Sequence, residues 1–379
     1  MGLFGGSAVN NKEKTLPNER KRAALRMPAE WERHSGTLLI WPSNMPTWPG
    51  ERLSRVEVLF LTILDTIQRF EPVLLLVHPS ITDRALGKIR ERKIPLDLIQ
   101  VQELKVNDMW ARDCGPISVR NRFSPSKPWL FTDWEYNAWG GKYPPWDDDN
   151  RIPSELARLY SHPIQSTGMI LEGGSVEPNG RGVLLTTESV LLNPNRNPKL
   201  SRTDIENHLY HYLGAKQVIW LEAGLAGDDT DGHIDDLSRF LNPETILTSS
   251  SENPAHPNYK TLHRNLERLQ QARNHDGKSF TIEVLPLPDV RAEGGAVDGS
   301  IHLPASYTNF YIANSGVLVP LYDSRYDRQA LDLFRRYFPD REIIGVPCRD
   351  LIWGQGGIHC ITQPLFGLNP LCLPTETGI

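Results

Sequence analysis

The chain reads as an α/β protein built by repeating one unit, and three observations carry that reading. Short apolar runs of strand length alternate with longer segments whose apolar residues recur every three to four positions. Five such helical segments each adjoin a strand-like run, a repeat of architecture that residue identity does not align. No linker-like or low-complexity stretch divides the 379 residues, so one domain, residues 26–379, is the simplest organisation.

In order, residues 1–25 open with MGLFGGSAVNNKEK, which lacks the apolar core of a signal peptide and has Gly6 where a myristoylation pattern wants Ser or Thr. They read as a flexible polar extension. GTLLIWP (Gly36–Pro42) has the apolar density of a buried strand, Arg55–Phe70 the period of an amphipathic helix, and Pro72–Pro79 that of a second strand. A helix around Ser154–Tyr160 precedes a strand, and GVLLTT follows as another. Ser201 is placed to cap a helix running to Tyr212 and stopped by Gly214, with QVIWLEA as its strand. Asn258–Arg273 pairs in the same way with TIEVLPLP, and Arg325–Tyr337 with EIIGVP. The 29 glycines and 30 prolines supply the tight connections that such a chain needs.

Composition narrows the function. At 39% hydrophobic and 23% charged residues, the chain has the make-up of an ordinary soluble globular protein. A net charge of −5 gives no general attraction for nucleic acid or an anionic membrane, and slightly favours small cations. No run approaches the roughly 18 apolar residues of a membrane span. The four cysteines, Cys114, Cys348, Cys360 and Cys372, show neither CxxC spacing nor disulfide-scaffold density, which fits a reducing, cytoplasmic setting.

Four stretches depart from this plain pattern: NDMWARDCGP (Asn107–Pro116), DWEYNAWGGKYPPWDDDN (Asp133–Asn150), LEGGS (Leu171–Ser175) and GDDTDGHIDD (Gly227–Asp236). A fifth, GQGGIHCITQ (Gly354–Gln363), carries the candidate nucleophile. Cys360 follows a glycine run that lets backbone crowd against a ligand. Its thiol needs a depressed pKa or a cationic substrate to become a thiolate, unless it is a small buried hydrophobe, as Cys348 or Cys372 can be. His233 and Asp235 lie two residues apart, so an extended segment would present both to one pocket. An HxD pair without a second histidine at ligand spacing is a weak metal signature, and some of Asp228, Asp229, Asp231 and Asp236 have the pattern of a solvated acidic loop. A cysteine, a histidine and a surplus of carboxylates differ from the set a papain-like hydrolase needs. The negative excess suits a positive electrophile, and a guanidinium pairs bidentately with a carboxylate.

With those motifs assembled, the chain resembles the agmatine deiminase family, also described as bacterial-type peptidylarginine deiminases, within the guanidino-group-modifying superfamily. The matching stretches are MPAEWERHSGTLLIWP, NDMWARDCGP, DWEYNAWGGKYPPWD, LEGGS, LLTTESVLLNPNRNP, DDTDGHIDD, LPASYTNFYIAN and GGIHCITQ, in family order from about Arg26 to Gln363. The resemblance implies a pentein fold, an α/β propeller of five ββαβ-type units around a pseudo-fivefold axis with the site in its central channel. It also implies that Cys360 attacks the guanidinium carbon, that His233 donates a proton to departing ammonia and then activates water, and that Asp113 and Asp235 grip the guanidinium nitrogens. Glu172 would hold His233. No metal and no cofactor is implied, and the partner is a small cationic guanidine in a protein expected to be a homodimer.

Trp110 is a candidate to bound the pocket or stack on the planar cation, with core packing as the alternative, while Trp134, Trp139 and Trp146 are read as shaping a loop. Asp229 and Asp231 are candidates to contact the substrate chain, although the family often carries Glu and Asn there. The leading function is hydrolysis of agmatine to N-carbamoylputrescine and ammonia. Deimination of free or peptidyl arginine, with Arg112 or Arg196 as a partner for a carboxylate, is the alternative. A non-catalytic cation-binding pentein and an amidinotransferase are further ones.

Overall fold

The computed structural model describes residues 24–372. Most of the expected extension, residues 1–23, lies outside them. Its proposed end at residue 25 is too late, because Leu25–Arg26 form a strand pairing antiparallel with Arg120 and Asn121.

The described residues form five separate open sheets of three or four strands, all built on one plan. In each, a central strand has an antiparallel neighbour on one side and a parallel neighbour on the other. Thr245–Ser250 lies between antiparallel Ser238–Asn242 and parallel Thr281–Pro286. Parallel neighbours need a long crossover, and helix Tyr259–Gln271 supplies it here. The same order recurs around Trp129–Glu135, Val183–Thr187 and Gly316–Leu321, with crossover helices Ile152–Leu159, Arg202–His208 and Asp327–Tyr337. The fifth sheet is assembled from both ends of the chain. Gly36–Ile40 pairs in parallel with Val73–Val77 across helix Arg52–Gln68, and its antiparallel neighbour is Gln363–Leu365.

Local sequence explains these elements. VLLLV of Val73–Val77 is flanked on both sides by parallel strands and buried throughout, hence its unbroken apolar run. Helix Arg52–Gln68 buries Val56, Phe60, Ile63, Leu64 and Ile67, one face at helical spacing. Ser201 caps its helix as expected: its hydroxyl accepts from the Asp204 N–H while the Asp204 carboxylate accepts from the Ser201 N–H. The regular helix ends at His208, earlier than the sequence suggests. A wider turn over Leu209–Leu213 follows, closed by Gly214 at φ 73°. Helix Thr82–Glu91 and strand Ile99–Glu103 were not anticipated.

This plan positions the site. Five segments link one sheet to the next, and they carry Asp113, Glu172, the His233–Asp235 pair, Asn309 and Cys360. In each, the last of these residues lies within five residues of the strand that opens the following sheet. Among the described residues no helix is long and apolar enough to cross a membrane.

Candidate active site

The glycine run before Cys360 is needed for space. A Cβ at Gly356 would lie 2.2 Å from the Trp110 ring, and one at Gly357 would lie 2.4 Å from Asn309 Oδ1. The chain can therefore fold tightly enough to bury Cys360 at 4% exposure while leaving it on the wall of a cleft. The Cys360 carbonyl accepts from the Arg112 N–H, fixing the cysteine segment to the turn Ala111–Cys114 that carries Asp113. Cys360 Sγ lies 3.8 Å from Asp235 Oδ2 and accepts a hydrogen bond from Asn309 Nδ2 at 3.1 Å.

Asp113 is held by the Gly174 N–H on Oδ1 and the Trp139 indole N–H on Oδ2, both at 3.0 Å. Trp139, expected only to shape a loop, thus lines the cleft and orients a carboxylate. A Cβ at Gly174 would stand 2.6 Å from His233 Nδ1, 2.9 Å from Asp113 Oδ1 and 3.1 Å from Asp235 Oδ2. Three polar groups from two other linking segments meet at this one glycine.

His233 and Asp235 do not lie on the extended segment expected of them. Residues Ile234–Asp236 form a helical turn, and His233 precedes it. Convergence comes from this turn instead, tied down by the His233 N–H to the Thr230 hydroxyl and by the Thr308 hydroxyl to the Asp235 carbonyl. His233 Nδ1 is 3.6 Å from Asp113 Oδ1 and Nε2 is 3.9 Å from Glu172 Oε2. Among the described residues neither ring nitrogen has a hydrogen-bond partner, and Asp235 Oδ1 and Glu172 Oε2 are likewise buried without one. Buried polar atoms are normally paired, so four orphans in one place mark a site shaped for something other than folding.

Glu172 is anchored by Arg196, whose Nε donates to Oε1 at 2.6 Å. The same guanidinium donates to Asp231 Oδ2 and to the Thr230 carbonyl. Asp231 also accepts from Lys142 and Asn195, and it is absent from the cleft wall. Asp229 and Trp110 do line the cleft, and the Tyr143 hydroxyl donates to Asp229 Oδ2 at 2.5 Å. Among the described residues no Lys, Arg or His lines this cleft. Asp236, which had the pattern of a solvated loop residue, is buried at 1% exposure.

Behind Asp235 lies a buried charged layer that the motifs did not reveal. His359 Nδ1 sits 2.7 Å from Asp235 Oδ2 and its Nε2 3.0 Å from Glu30 Oε2. Glu30 also accepts from Arg112 and Arg239. Asn309 was missed as well, although it stands inside the LPASYTNFYIAN stretch.

The electrostatics follow from this crowding. Burial pushes Asp113 up to about 6, helped by the charges of Asp235 and Glu172 and opposed by His233. Asp235 goes the other way: burial opposes it, but the hydrogen bond and charge of His359 hold it below the usual carboxylate range. For His233 burial favours the neutral ring, yet Asp113, Glu172 and Asp235 together raise its pKa. Burial lifts the Cys360 thiol well above its ordinary value, and Asp235, Asp236 and Asp113 lift it further. The carboxylates thus act in opposite senses on the two groups, favouring the charged form of His233 and disfavouring the thiolate of Cys360, unlike the ion pair of a papain-like site.

Asp235, Asp236 and Cys360 bring three ligand-type atoms within 4.8 Å of one another. One oxygen of each carboxyl is engaged, Asp235 Oδ2 by His359 and Asp236 Oδ1 by Asn309, while Asp235 Oδ1 and Asp236 Oδ2 have no partner among the described residues. Burial and the Asp235 charge also keep the Asp236 carboxyl well above its ordinary pKa, so it holds a proton more readily than a metal. The arrangement suits a sulfur nucleophile beside buried carboxylates, of which Asp235 Oδ1, Asp236 Oδ2 and Glu172 Oε2 have no partner among the described residues.

Comparison with known proteins agrees with this chemistry. An agmatine deiminase of Pseudomonas syringae pv. tomato is 35% identical over 369 residues, covering 92% of this chain and 97% of the relative. The solved agmatine deiminase of Enterococcus faecalis superposes with a TM-score of 0.82 at 33% identity, over 91% of this chain and 96% of that one. A C. jejuni agmatine deiminase solved with substrate bound gives 0.78 at 29% identity, over 90% and 96%. Residues 26–365 match the family described as Porphyromonas-type peptidyl-arginine deiminase, and the chain belongs to that family.

Proposed function

We propose that this protein is an agmatine deiminase, hydrolysing agmatine to N-carbamoylputrescine and ammonia. The observation that carries the proposal is the meeting of Asp113, His233 and Asp235 at Gly174, beside the Cys360 sulfur. A guanidinium keeps its charge at any working pH, its pKa being about 12.5 or higher. Asp113 and Asp235 pair with its N–H groups and hold its carbon near sulfur.

In this reading substrate binding drives the Cys360 thiol proton out to solvent, and the thiolate attacks the guanidinium carbon, forming a C–S bond and a neutral tetrahedral adduct. The C–N bond then breaks as protonated His233 gives its proton to the departing nitrogen, and ammonia leaves an S-alkylthiouronium cation. Water attacks next, with the now neutral His233 taking its proton. The C–S bond breaks, thiolate returns, and the remaining hydroxyl proton passes to solvent, where the released ammonia becomes ammonium. Glu172, anchored by Arg196, keeps a negative charge facing His233 Nε2. The five linking segments would surround a central channel on a pseudo-fivefold axis, a single catalytic unit.

Agmatine is favoured over arginine by the charge of the cleft wall. Asp108, Asp113 and Asp229 line it and no cationic side chain does. Arg112 and Arg196, the two residues available by sequence to meet an α-carboxylate, are committed to Glu30 and to Glu172 and Asp231. An arginine carboxylate would find no partner, whereas a terminal amine suits Asp229. Ammonia release from agmatine, free arginine and a blocked arginyl peptide tests this, and faster turnover of the peptide would overturn it.

A further inference from the structure

Of the five segments that link the sheets, four carry residues with a part in the proposed reaction, and the fifth, between Thr281–Pro286 and Tyr311–Ile312, brings Asn309 to the sulfur. We infer that Asn309 is a catalytic residue whose side-chain N–H stabilises the Cys360 thiolate. This rests on the reading of Cys360 as the nucleophile.

The amide can take only one orientation. Asn309 Oδ1 accepts from the His359 N–H at 2.8 Å, and that backbone group could not face an NH2. Nδ2 is thereby turned toward Asp236 Oδ1 at 2.9 Å and Cys360 Sγ at 3.1 Å, with one N–H for each. The approach is tight enough to need glycine at 357, where a Cβ would strike Oδ1 at 2.4 Å. Asn309 is fully buried, so its donors have no water to choose instead.

The sulfur's other polar neighbours explain why such a donor matters. Asp235, Asp236 and Asp113 all disfavour negative charge on Cys360, and against them stand the Asn309 amide and a hydrogen bond from the Gly357 backbone. Both are neutral donors. Each can stabilise a thiolate without giving it a proton and without pairing with the carboxylates needed for substrate. A hydrogen bond to a charged group of this kind corresponds to a loss of roughly tenfold to hundredfold in rate when removed.

The test uses Asn309→Ala and Asn309→Asp in the full chain. The Asp variant keeps an oxygen for the His359 N–H but loses both amide donors. Alkylation of Cys360 by iodoacetamide, followed across pH by mass spectrometry of its own peptide so that Cys372 does not interfere, reads thiolate formation without any substrate. A failed agmatine assignment and a failed role for Asn309 are thus told apart. In both variants the alkylation midpoint is expected to move to higher pH, and kcat for agmatine to fall tenfold to hundredfold with KM nearly unchanged. Thermal melts confirm folding, and should the Ala variant not fold, the near-isosteric Asp variant decides alone. A wild-type alkylation profile in a folded variant, or wild-type kcat in Asn309→Asp, overturns the inference.

Discussion

Lowering the pH should switch off the cleft in two steps, because two of the carboxyls that line it, Asp113 and Asp229, have raised pKa values and serve opposite ends of the substrate in the proposed reading. Asp113 titrates near 6 and Asp229 near 7, the latter lifted by burial and by the charges of Asp228 and Asp298 against the Tyr143 hydrogen bond. Both must be ionised to hold a doubly charged substrate, whose guanidinium and amine stay protonated throughout this range. At pH 5 about one molecule in ten keeps Asp113 ionised and about one in a hundred keeps Asp229, so kcat/KM should fall roughly a thousandfold from pH 8. The two steps belong to the pair, and Asp229→Asn should remove the upper one, leaving a fall of about tenfold centred near 6.

Unfolding would not mimic this. A carboxyl whose folded pKa is raised contributes stability that is present in acid and lost as pH rises through the folded value. Protonating Asp113 therefore favours the fold, by about 3 kcal/mol relative to its ionised form when its pKa near 6 is set against an ordinary 3.8. The assay is initial-rate ammonia release at sub-saturating agmatine, with melting temperatures at each pH. A flat kcat/KM between pH 8 and 5 would refute the reasoning, and so would an identical acid limb in Asp229→Asn.

Three further outcomes follow from the geometry. Gly174→Ala adds a Cβ 2.6 Å from His233 Nδ1 at a residue whose backbone any side chain can adopt, so the chain should fold while displacement of His233 lowers kcat on the order of a hundredfold; wild-type kcat would show that the contact is harmless. Arg196→Met strips the partner from buried Glu172 and from Asp231, and should destabilise the protein by about 3 to 5 kcal/mol in denaturant unfolding, a value that an unchanged midpoint contradicts. Cys360→Ser should abolish ammonia release yet retain agmatine binding by calorimetry, since the carboxylates are untouched; loss of binding would mean that the sulfur helps to hold the ground state.

Much of the fold was legible where a crossover helix carries its apolar face in sequence and a parallel strand buried on both sides its unbroken apolar run. Arg52–Gln68 and Val73–Val77 are examples. The site was legible where chemistry needs conspicuous neighbours: the glycines before Cys360, the two beside Glu172, the histidine next to paired acids. Its supporting layer was not. Glu30 lies 329 positions from His359, and nothing in MPAEWE tells that this carboxylate will close a buried chain to Asp235. Asp231 had the same look as Asp229, and only the third dimension assigns one to Arg196 and the other to the cleft. Asn309 had a usable signal that went unread. Four of the five sheet-linking segments end in a functional side chain just before the next strand, and the same position in the fifth, two residues before Tyr311, holds an asparagine.

That supporting layer also bears on how a buried thiol with a raised pKa can be a nucleophile at all. Asp113, Asp235 and Asp236 make thiolate expensive while the site holds no cation. In the proposed reaction a bound guanidinium would pair with Asp113 and Asp235, and the charges that oppose ionisation of Cys360 would then be compensated within a few ångströms of the sulfur. Neutral amides offer no such compensation, so the same carboxylates that bind the substrate withhold the nucleophile from everything else. The ureido group of the product is neutral too, although its distal amine keeps its charge. Once ammonia has left and water has added, the product can no longer neutralise either aspartate, and repulsion between the two carboxylates favours its release. Binding, activation and release thus become three consequences of one positive charge arriving and then being removed by the chemistry itself.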